Sequence, residues 1–216
     1  MDFFNLPSRT KFGRVVPKNA FDEYTNTKQK KLFTEDIQRI TWTHKLSPVT
    51  INLEAKDIEE IQVFKIELKE QTDILKILEI INKAIPYHII FWVEFKDQAY
   101  ISTAAKHPHP ANENISVIDW TFTSDWFLTS QCPYTFNLKS SLDEVYKDFC
   151  VQLTGKPDLS KKSMESILLE QQKTDQLKKD ISKLKAAIRK SKQFNEKVEL
   201  NMKLKSLEKE LSEYEE

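Results

Sequence analysis

Apolar residues near the end of the chain recur at alternating steps of three and four residues, which places them on one face of a helix. A first stripe contains Leu177, Ile181, Leu184 and Ile188, and a second contains Leu200, Leu204, Leu207, Leu211 and Tyr214. Continuing the first stripe lands on polar Ser191, Asn195 and Lys205, so the two stripes are out of phase. A chain reversal near residues 191–195 resolves this mismatch and predicts two antiparallel helices, a coiled-coil hairpin.

Upstream of this hairpin, helical and alternating apolar patterns follow one another along the chain. The spacing predicts helices over residues 27–40, 73–84 and 141–153. Alternating or continuous apolar runs predict extended segments over residues 40–46, 49–53, 58–69, 88–95, 99–105 and 115–122. Residues 1–28 are predicted to be an irregular lead segment tied to the core by aromatic side chains, and residues 106–114 a surface loop.

These elements predict a fold of the α/β or α+β class, a mixed β-sheet with flanking helices followed by the C-terminal antiparallel helical hairpin. Gly155 and Pro157 interrupt the helical pattern between the two parts. The chain of 216 residues has room for one compact domain of about 150 residues and an appendage. We therefore predict a core domain over residues 1–157 and a hairpin, called the arm, over residues 158–216.

Composition narrows the class of protein. The 33 basic and 33 acidic residues balance, so any attraction to nucleic acid or to a membrane surface must be local. No apolar run reaches the roughly 18 residues that span a bilayer, and Met1–Asn5 lacks the basic flank of a signal peptide. We expect a cytoplasmic protein without a membrane partner, in which Cys132 and Cys150 are free thiols.

Glycine is nearly absent, because Gly13 and Gly155 are the only two in the sequence. A phosphate-binding loop or a dinucleotide fingerprint needs several glycines within a few residues, since backbone N–H groups must approach the phosphate closely. The sequence therefore excludes P-loop ATPases, kinases and Rossmann-type dehydrogenases.

Four stretches of the chain carry a family resemblance. They are Ile40–Asn52, Glu60–Lys69, Asn82–Pro86 and Lys192–Asn201. In this order they resemble a prokaryotic family, domain of unknown function 4391, over nearly the whole chain. The resemblance implies no activity for any residue. The resemblance does imply a genomic neighbourhood, because such proteins are often encoded beside DNA methyltransferases and helicases of restriction or phage-defence type. This is an association between genes and not a mechanism.

A candidate catalytic motif is Glu67-Leu-Lys69, at the end of the predicted strand 58–69. In PD-(D/E)xK nucleases a strand presents an acid and, two residues later, a lysine on the same face. The acid binds a divalent metal together with an upstream carboxylate, which Glu54 or Asp57 would supply here. The hypothesis makes Glu67 and Lys69 catalytic and requires Mg²⁺ or Mn²⁺. The alternative is a solvated strand end, because charged pairs at this spacing are common.

Basic residues concentrate around the predicted bend of the arm. Between residues 178 and 192, Asp180 is the only acidic residue in the sequence. We select Lys185, Arg189, Lys190 and Lys192 as candidate contacts to nucleic-acid phosphates. The alternative is that these cations pair with the acids of the second helix and keep it soluble. Phe194 at the bend and Trp126 in an aromatic loop are candidate anchors for a protein partner.

Two classes of function remain. The favoured one is a non-catalytic interaction subunit without a cofactor, which docks through its arm onto a helicase or methyltransferase of a DNA-directed defence assembly and touches DNA with the basic bend. The alternative is the metal-dependent PD-(D/E)xK-like nuclease. A homo-oligomer formed through the arms is a third arrangement that the stripes allow.

Overall fold

The structure is a computed structural model that describes residues 3–215, with the side chains of residues 113, 114 and 215 excepted. Met1 and Asp2, at which the signal-peptide expectation starts, lie outside the described residues. The chain divides into two compact units, one ending at Ser160 and the other beginning at Lys161. The first unit contains a mixed sheet with helices and the second contains a pair of helices, so the predicted fold class is confirmed.

A single mixed sheet forms the centre of the first unit. Its strands are β1 (Lys11–Val15), β2 (Ile37–Leu46), β3 (Ile61–Leu68), β4 (His88–Phe95), β5 (Gln98–His109), β6 (Asn112–Thr123) and the short β7 (Phe127–Leu128). The first six lie side by side in chain order, and β7 pairs with β5. Neighbouring strands are antiparallel except for β3 and β4, which are parallel and therefore need a crossover connection.

Helices cover both faces of this sheet. They are α1 (Thr27–Glu35), the single turn α2 (Pro48–Ile51), α3 (Leu75–Ala84) and α4 (Leu142–Thr154). The crossover helix α3 packs one face with Ile77 and Ile81 against Phe64 and Phe91 of the parallel strands. On the opposite face, aromatic side chains of the lead segment and of α4 pack together around Trp92.

Several predicted elements are confirmed, and their local chemistry explains them. β4 is a nearly unbroken apolar run because it lies inside the sheet and is covered on both faces. α3 ends at Ala84 because Pro86 restricts the residue before it. α4 begins after Ser141, whose side chain accepts a hydrogen bond from the N–H of Glu144, and it ends at Gly155 in the left-handed conformation.

Four local predictions are wrong. Residues 48–51 form a helical turn, not an extended segment, because Ser47 and Thr50 make a reciprocal capping box and Asn52 adopts the left-handed conformation. Residues 106–114 are not a loop, since β5 continues to His109. The lead segment contains the strand β1. The first helix stops at Glu35, because the chain enters β2 at Ile37 and pairs with Leu68.

The second unit is the predicted hairpin. Helix α5 (Met164–Lys190) and helix α6 (Phe194–Glu215) are joined by residues 191–193. All positions of the two predicted stripes are buried or half-buried. Ion pairs of 2.9 Å between Lys173 and Glu210 and of 2.8 Å between Lys185 and Glu208 join the two helices. Within residues 3–215, every helix is too short or too polar to cross a lipid bilayer.

Candidate functional site

The predicted metal ligands lie at different ends of the sheet. Glu54 forms an isolated bridge with Ser141, and the backbone N–H of Asp57 donates to Asp143, so both lie at the start of α4. Asp143 is close enough to influence His88, the first residue of β4, which is paired with the first residue of β3. Glu67 lies farther along β3, and the strand advances about 20 Å between Ile61 and Glu67. The structure does not bring Glu54 or Asp57 to Glu67.

Glu67 and Lys69 also have separate partners. The Lys69 ammonium donates a 2.7 Å hydrogen bond to the backbone carbonyl of Thr34, whereas a Glu67 oxygen lies 3.3 Å from the Lys65 ammonium. In the described part of the chain, no group of three or more His, Cys, Asp or Glu side chains is arranged to hold a metal ion. The geometry therefore gives the nuclease hypothesis no assembled site.

The charged cluster that the sheet does assemble is centred on Lys65. Its ammonium lies 2.7 Å from a Glu94 oxygen, and β3 and β4 place Glu67 directly beside Glu94. The Trp92 indole N–H donates to the second Glu94 oxygen at 2.8 Å. Burial acts to lower the pKa of Lys65, but the two carboxylates raise it above its ordinary value. Lys65 is therefore a cation that neutralises Glu94. This pair cannot be predicted from the sequence, because the two residues meet only through the register of β3 and β4.

The bend of the arm is built by capping contacts. The N–H of Ser191 donates to the carbonyl of Ala187 and closes α5, while its hydroxyl donates to the Glu196 carboxylate at 2.7 Å. Arg189 and Lys190 lie in the last turn of α5, where the helix dipole favours positive charge. Lys192 follows in the connection, and α6 begins at Phe194.

We call Arg189, Lys190, Lys192 and Phe194 the hairpin tip. The three cations are exposed, and among residues 3–215 none of them forms an ion pair. The fourth predicted phosphate contact, Lys185, is partly neutralised by Glu208 on α6. Phe194 is 78% exposed.

An apolar stripe continues from the tip along α6. Val198 and Met202 follow Phe194 at steps of four residues, and they are 43% and 69% exposed. At 100° per residue this stripe points well away from the residues that face α5, such as Leu200 and Leu204. We call Phe194, Val198 and Met202 the outer stripe. We call the two stripes along which α5 and α6 face each other, the first on α5 and the second on α6, the inner stripe of the arm. The sequence contained the signal of the outer stripe, but the more regular spacing of the inner stripe masked it.

The remaining candidates have structural surroundings. Trp126 packs edge-on against Tyr100, with ring centroids 4.8 Å apart, and belongs to the border of the core. His107 lies on β5 with its Nδ1 3.0 Å from the Asp119 carboxylate. Cys150 is fully buried, and burial raises the pKa of its thiol, which keeps it protonated and unreactive.

Comparison with known proteins identifies the family. A search of curated proteins and a search of solved structures found no match to this chain. One family model, described as a domain of unknown function (DUF4391), matches residues 4–211. This match takes in most of both units, from the lead segment into α6. The chain therefore belongs to the DUF4391 family.

Proposed function

We propose that this protein is an interaction subunit that docks through its arm onto a larger DNA-directed enzyme. The hairpin tip and the outer stripe support the proposal. Both present side chains that a partner could contact, namely cations without an ion pair and exposed apolar groups on a helical arm. The outer stripe has the spacing of anchors with which a helix lies against a partner protein.

The cations of the tip are proposed to contact DNA phosphates. Arg189, Lys190 and Lys192 occupy neighbouring positions at the bend, so one phosphate backbone can meet all three. Such contacts carry no sequence information, and they weaken steeply as salt rises because bound counterions are released. The tip would therefore position the assembly on DNA, while the larger enzyme selects the sequence.

The proposed partner is a helicase or methyltransferase of restriction or phage-defence type. This identification rests on the genomic neighbourhood that the family resemblance implies, and the outer stripe supports docking to a protein. The observation that carries the whole proposal is the unpaired state of the three tip cations beside Phe194, which is 78% exposed.

The DNA contact is tested by a triple alanine variant of the tip. We would measure binding of the full chain to duplex DNA over a series of salt concentrations. Replacing Arg189, Lys190 and Lys192 should reduce the slope of log K against log salt by about 2.7, or about 0.9 per lost phosphate contact. The matched control replaces Lys28, Lys31 and Lys139, which are also exposed and belong to the first unit. Equal slopes in both variants, or no binding by the natural chain, would contradict the contact.

Protein docking is tested with the helicase or methyltransferase encoded beside the gene. Phe194→Ser with Met202→Ser should weaken co-purification, whereas Leu169→Ser, at an exposed position of α5, should not. The nuclease alternative has its own experiment, incubation of DNA with Mg²⁺ or Mn²⁺. Metal-dependent cleavage that is lost in both Glu67→Ala and Lys69→Ala would contradict the interaction subunit and support the nuclease.

A further inference from the structure

Strand β6 forms one edge of the sheet, and α3 packs against the same strand. Among the described residues, β5 is the only strand that pairs with β6. Natural proteins protect long edges with charged residues, proline, bulges or a covering element. The twelve residues of β6 contain neither lysine nor proline, and residues 115–120 read Ile-Ser-Val-Ile-Asp-Trp. The strand does include Glu113 and Asp119, and its pairing with β5 is irregular at two places.

An open groove runs along the same edge. It has a volume of about 630 Å³ and lies between α3 and β6. Its apolar lining includes Leu75, Leu78, Val117 and Ile118. Leu75 is 40% exposed although it belongs to the apolar side of α3. A strand added beside β6 would place every second side chain in this groove, because side chains alternate between the faces of a sheet.

The hydrogen bonds identify which N–H groups point outward. The N–H of Ser124 donates to the carbonyl of Ile101 on β5, and Thr123 is the partner of Ser102. Inward and outward N–H groups alternate along an antiparallel strand. Thr121, whose pairing with Ala104 continues the same register, therefore directs its N–H away from β5. Thr121 is exposed and lines the groove.

We propose that β6 pairs antiparallel with β6 of a second copy of this chain, joining two sheets into one. A twofold axis, the commonest symmetry of soluble oligomers, can bring two copies of the same edge together. The axis places both α3 helices on the same face of the joined sheet. The two grooves then face each other and close into a shared apolar interior that covers Leu75 of each copy.

The charges on α3 favour a second copy. Lys76, Glu79 and Lys83 line the groove in the order positive, negative, positive, and Glu79 lies 2.5 Å from Lys83 in its own chain. Across a twofold axis the helices run antiparallel, so Glu79 of each copy can meet Lys83 of the other and two ion pairs form together. The charges of α3 beside the groove are thus complementary to those of a second copy.

The size of the surface is also adequate. The twelve residues of β6 and the six groove-lining residues of α3 approach the roughly 20 residues per partner of a stable interface. This surface lies in the first unit and does not use the arm. The proposal is therefore independent of the proposed docking function, and it differs from self-association through the arms.

Sedimentation of the full chain over a wide range of protein concentrations tests the pairing. The natural chain should form a dimer that dissociates on dilution. Thr121→Pro removes an outward N–H and should raise the dimer dissociation constant at least tenfold, which corresponds to about 1.4 kcal/mol. The matched control Thr121→Ala keeps the N–H and should dimerise like the natural chain. A natural chain that stays monomeric at every concentration overturns the proposal, and its open edge would then suit a strand of another protein.

A second pair of variants keeps the test decisive if proline disturbs the fold. Lys83→Glu places like charges across the axis and should weaken the dimer, whereas Glu79→Lys combined with Lys83→Glu restores opposite charges and should recover it. A dimer that ignores these changes, or one that is lost in Phe194→Ser with Met202→Ser instead, forms elsewhere and also overturns the proposal. Amide exchange at Thr121 should slow with rising protein concentration only if the edges pair.

Discussion

The ammonium of Lys106 on β5 donates a 2.6 Å hydrogen bond to the backbone carbonyl of Asn82 near the end of α3. A second hydrogen bond, also 2.6 Å, reaches the carbonyl of Ile85. The last carbonyls of a helix lack partners inside the helix, and a cation there interacts well with the dipole. Lys106 thus ties the end of α3 to the sheet. Its side chain is buried, and burial lowers its pKa to about 7.

This lowered pKa predicts a dependence of stability on pH. Between about pH 7 and about pH 10.4, the unfolded chain holds a proton on Lys106 that the folded chain has released. The contribution of Lys106 to the free energy of unfolding should therefore rise with pH across this window, and it should be least favourable below pH 7. We would measure urea unfolding of the natural chain and of Lys106→Met. Their difference should change across the window, and a constant difference would contradict the assignment.

His88 predicts a second window at lower pH. Its ring lies edge-on to Tyr146 with centroids 4.5 Å apart. Burial and the nearby Lys106 charge lower its pKa to about 4, with Asp143 acting in the opposite direction. As the pH falls from about 6.5 to about 4, His88 takes up a proton in the unfolded chain but not in the folded chain. The free energy of unfolding should therefore fall over this range. His88→Phe should reduce this fall, whereas exposed His109→Gln should leave it unchanged in thermal unfolding.

Asp143 holds the segment before β3 in place. Its carboxylate accepts hydrogen bonds of 2.9–3.1 Å from the consecutive N–H groups of Lys56, Asp57 and Ile58. Partial burial acts to raise the pKa of Asp143, but these donors bring it below the ordinary value.

Asp143→Ala should therefore lower the free energy of unfolding by about 2 kcal/mol, since hydrogen bonds to a charged group are lost. The contribution should be present above about pH 3.9 and be lost as the pH falls through the lowered folded pKa. Exposed Glu144→Ala is the control and should change stability by less than about 0.5 kcal/mol. Chemical unfolding at neutral pH distinguishes the two, and equal losses would contradict the role of Asp143.

The inner stripe of the arm should carry its stability. Leu177 is 3% exposed and Leu169 is 61% exposed, although both are leucines of α5. Leu177→Ala should destabilise the hairpin by about 2–5 kcal/mol because it leaves a cavity, whereas Leu169→Ala should have an effect below about 0.5 kcal/mol. Hydrogen exchange of the α5 and α6 amides measures the local effect. Unchanged exchange in Leu177→Ala would mean that the stripe does not hold the two helices together.

The arm was predictable because its periodicity is local. Residues three and four apart meet on one helix whatever the rest of the chain does, so the out-of-phase stripes located the bend near Ser191. β4 was predictable for a similar reason, since burial on both faces leaves a continuous apolar run. In both cases the signal lies within a single element.

Features decided by pairing between elements were not predictable. The two prolines at 108 and 110 indicate a loop, yet β5 passes through Pro108 because β6 supplies a partner at Ser116. Glu67-Leu-Lys69 has the spacing of a catalytic motif, but the register of β3 and β4 places Glu67 beside Glu94, and the Lys65 ammonium lies 2.7 Å from a Glu94 oxygen. The outward N–H of Thr121 depends on the β5–β6 register alone. No spacing within one segment contains this information.

Phe4 packs against Phe136 and Phe149, with ring centroids 5.0 Å and 5.7 Å apart. Phe4 and Phe149 lie far apart in the chain, so their contact cannot form until most of the first unit has been synthesised. Closing so long a loop is slow compared with forming local contacts. Translation speed and chaperones that shield nascent chains should consequently affect the yield of the first unit.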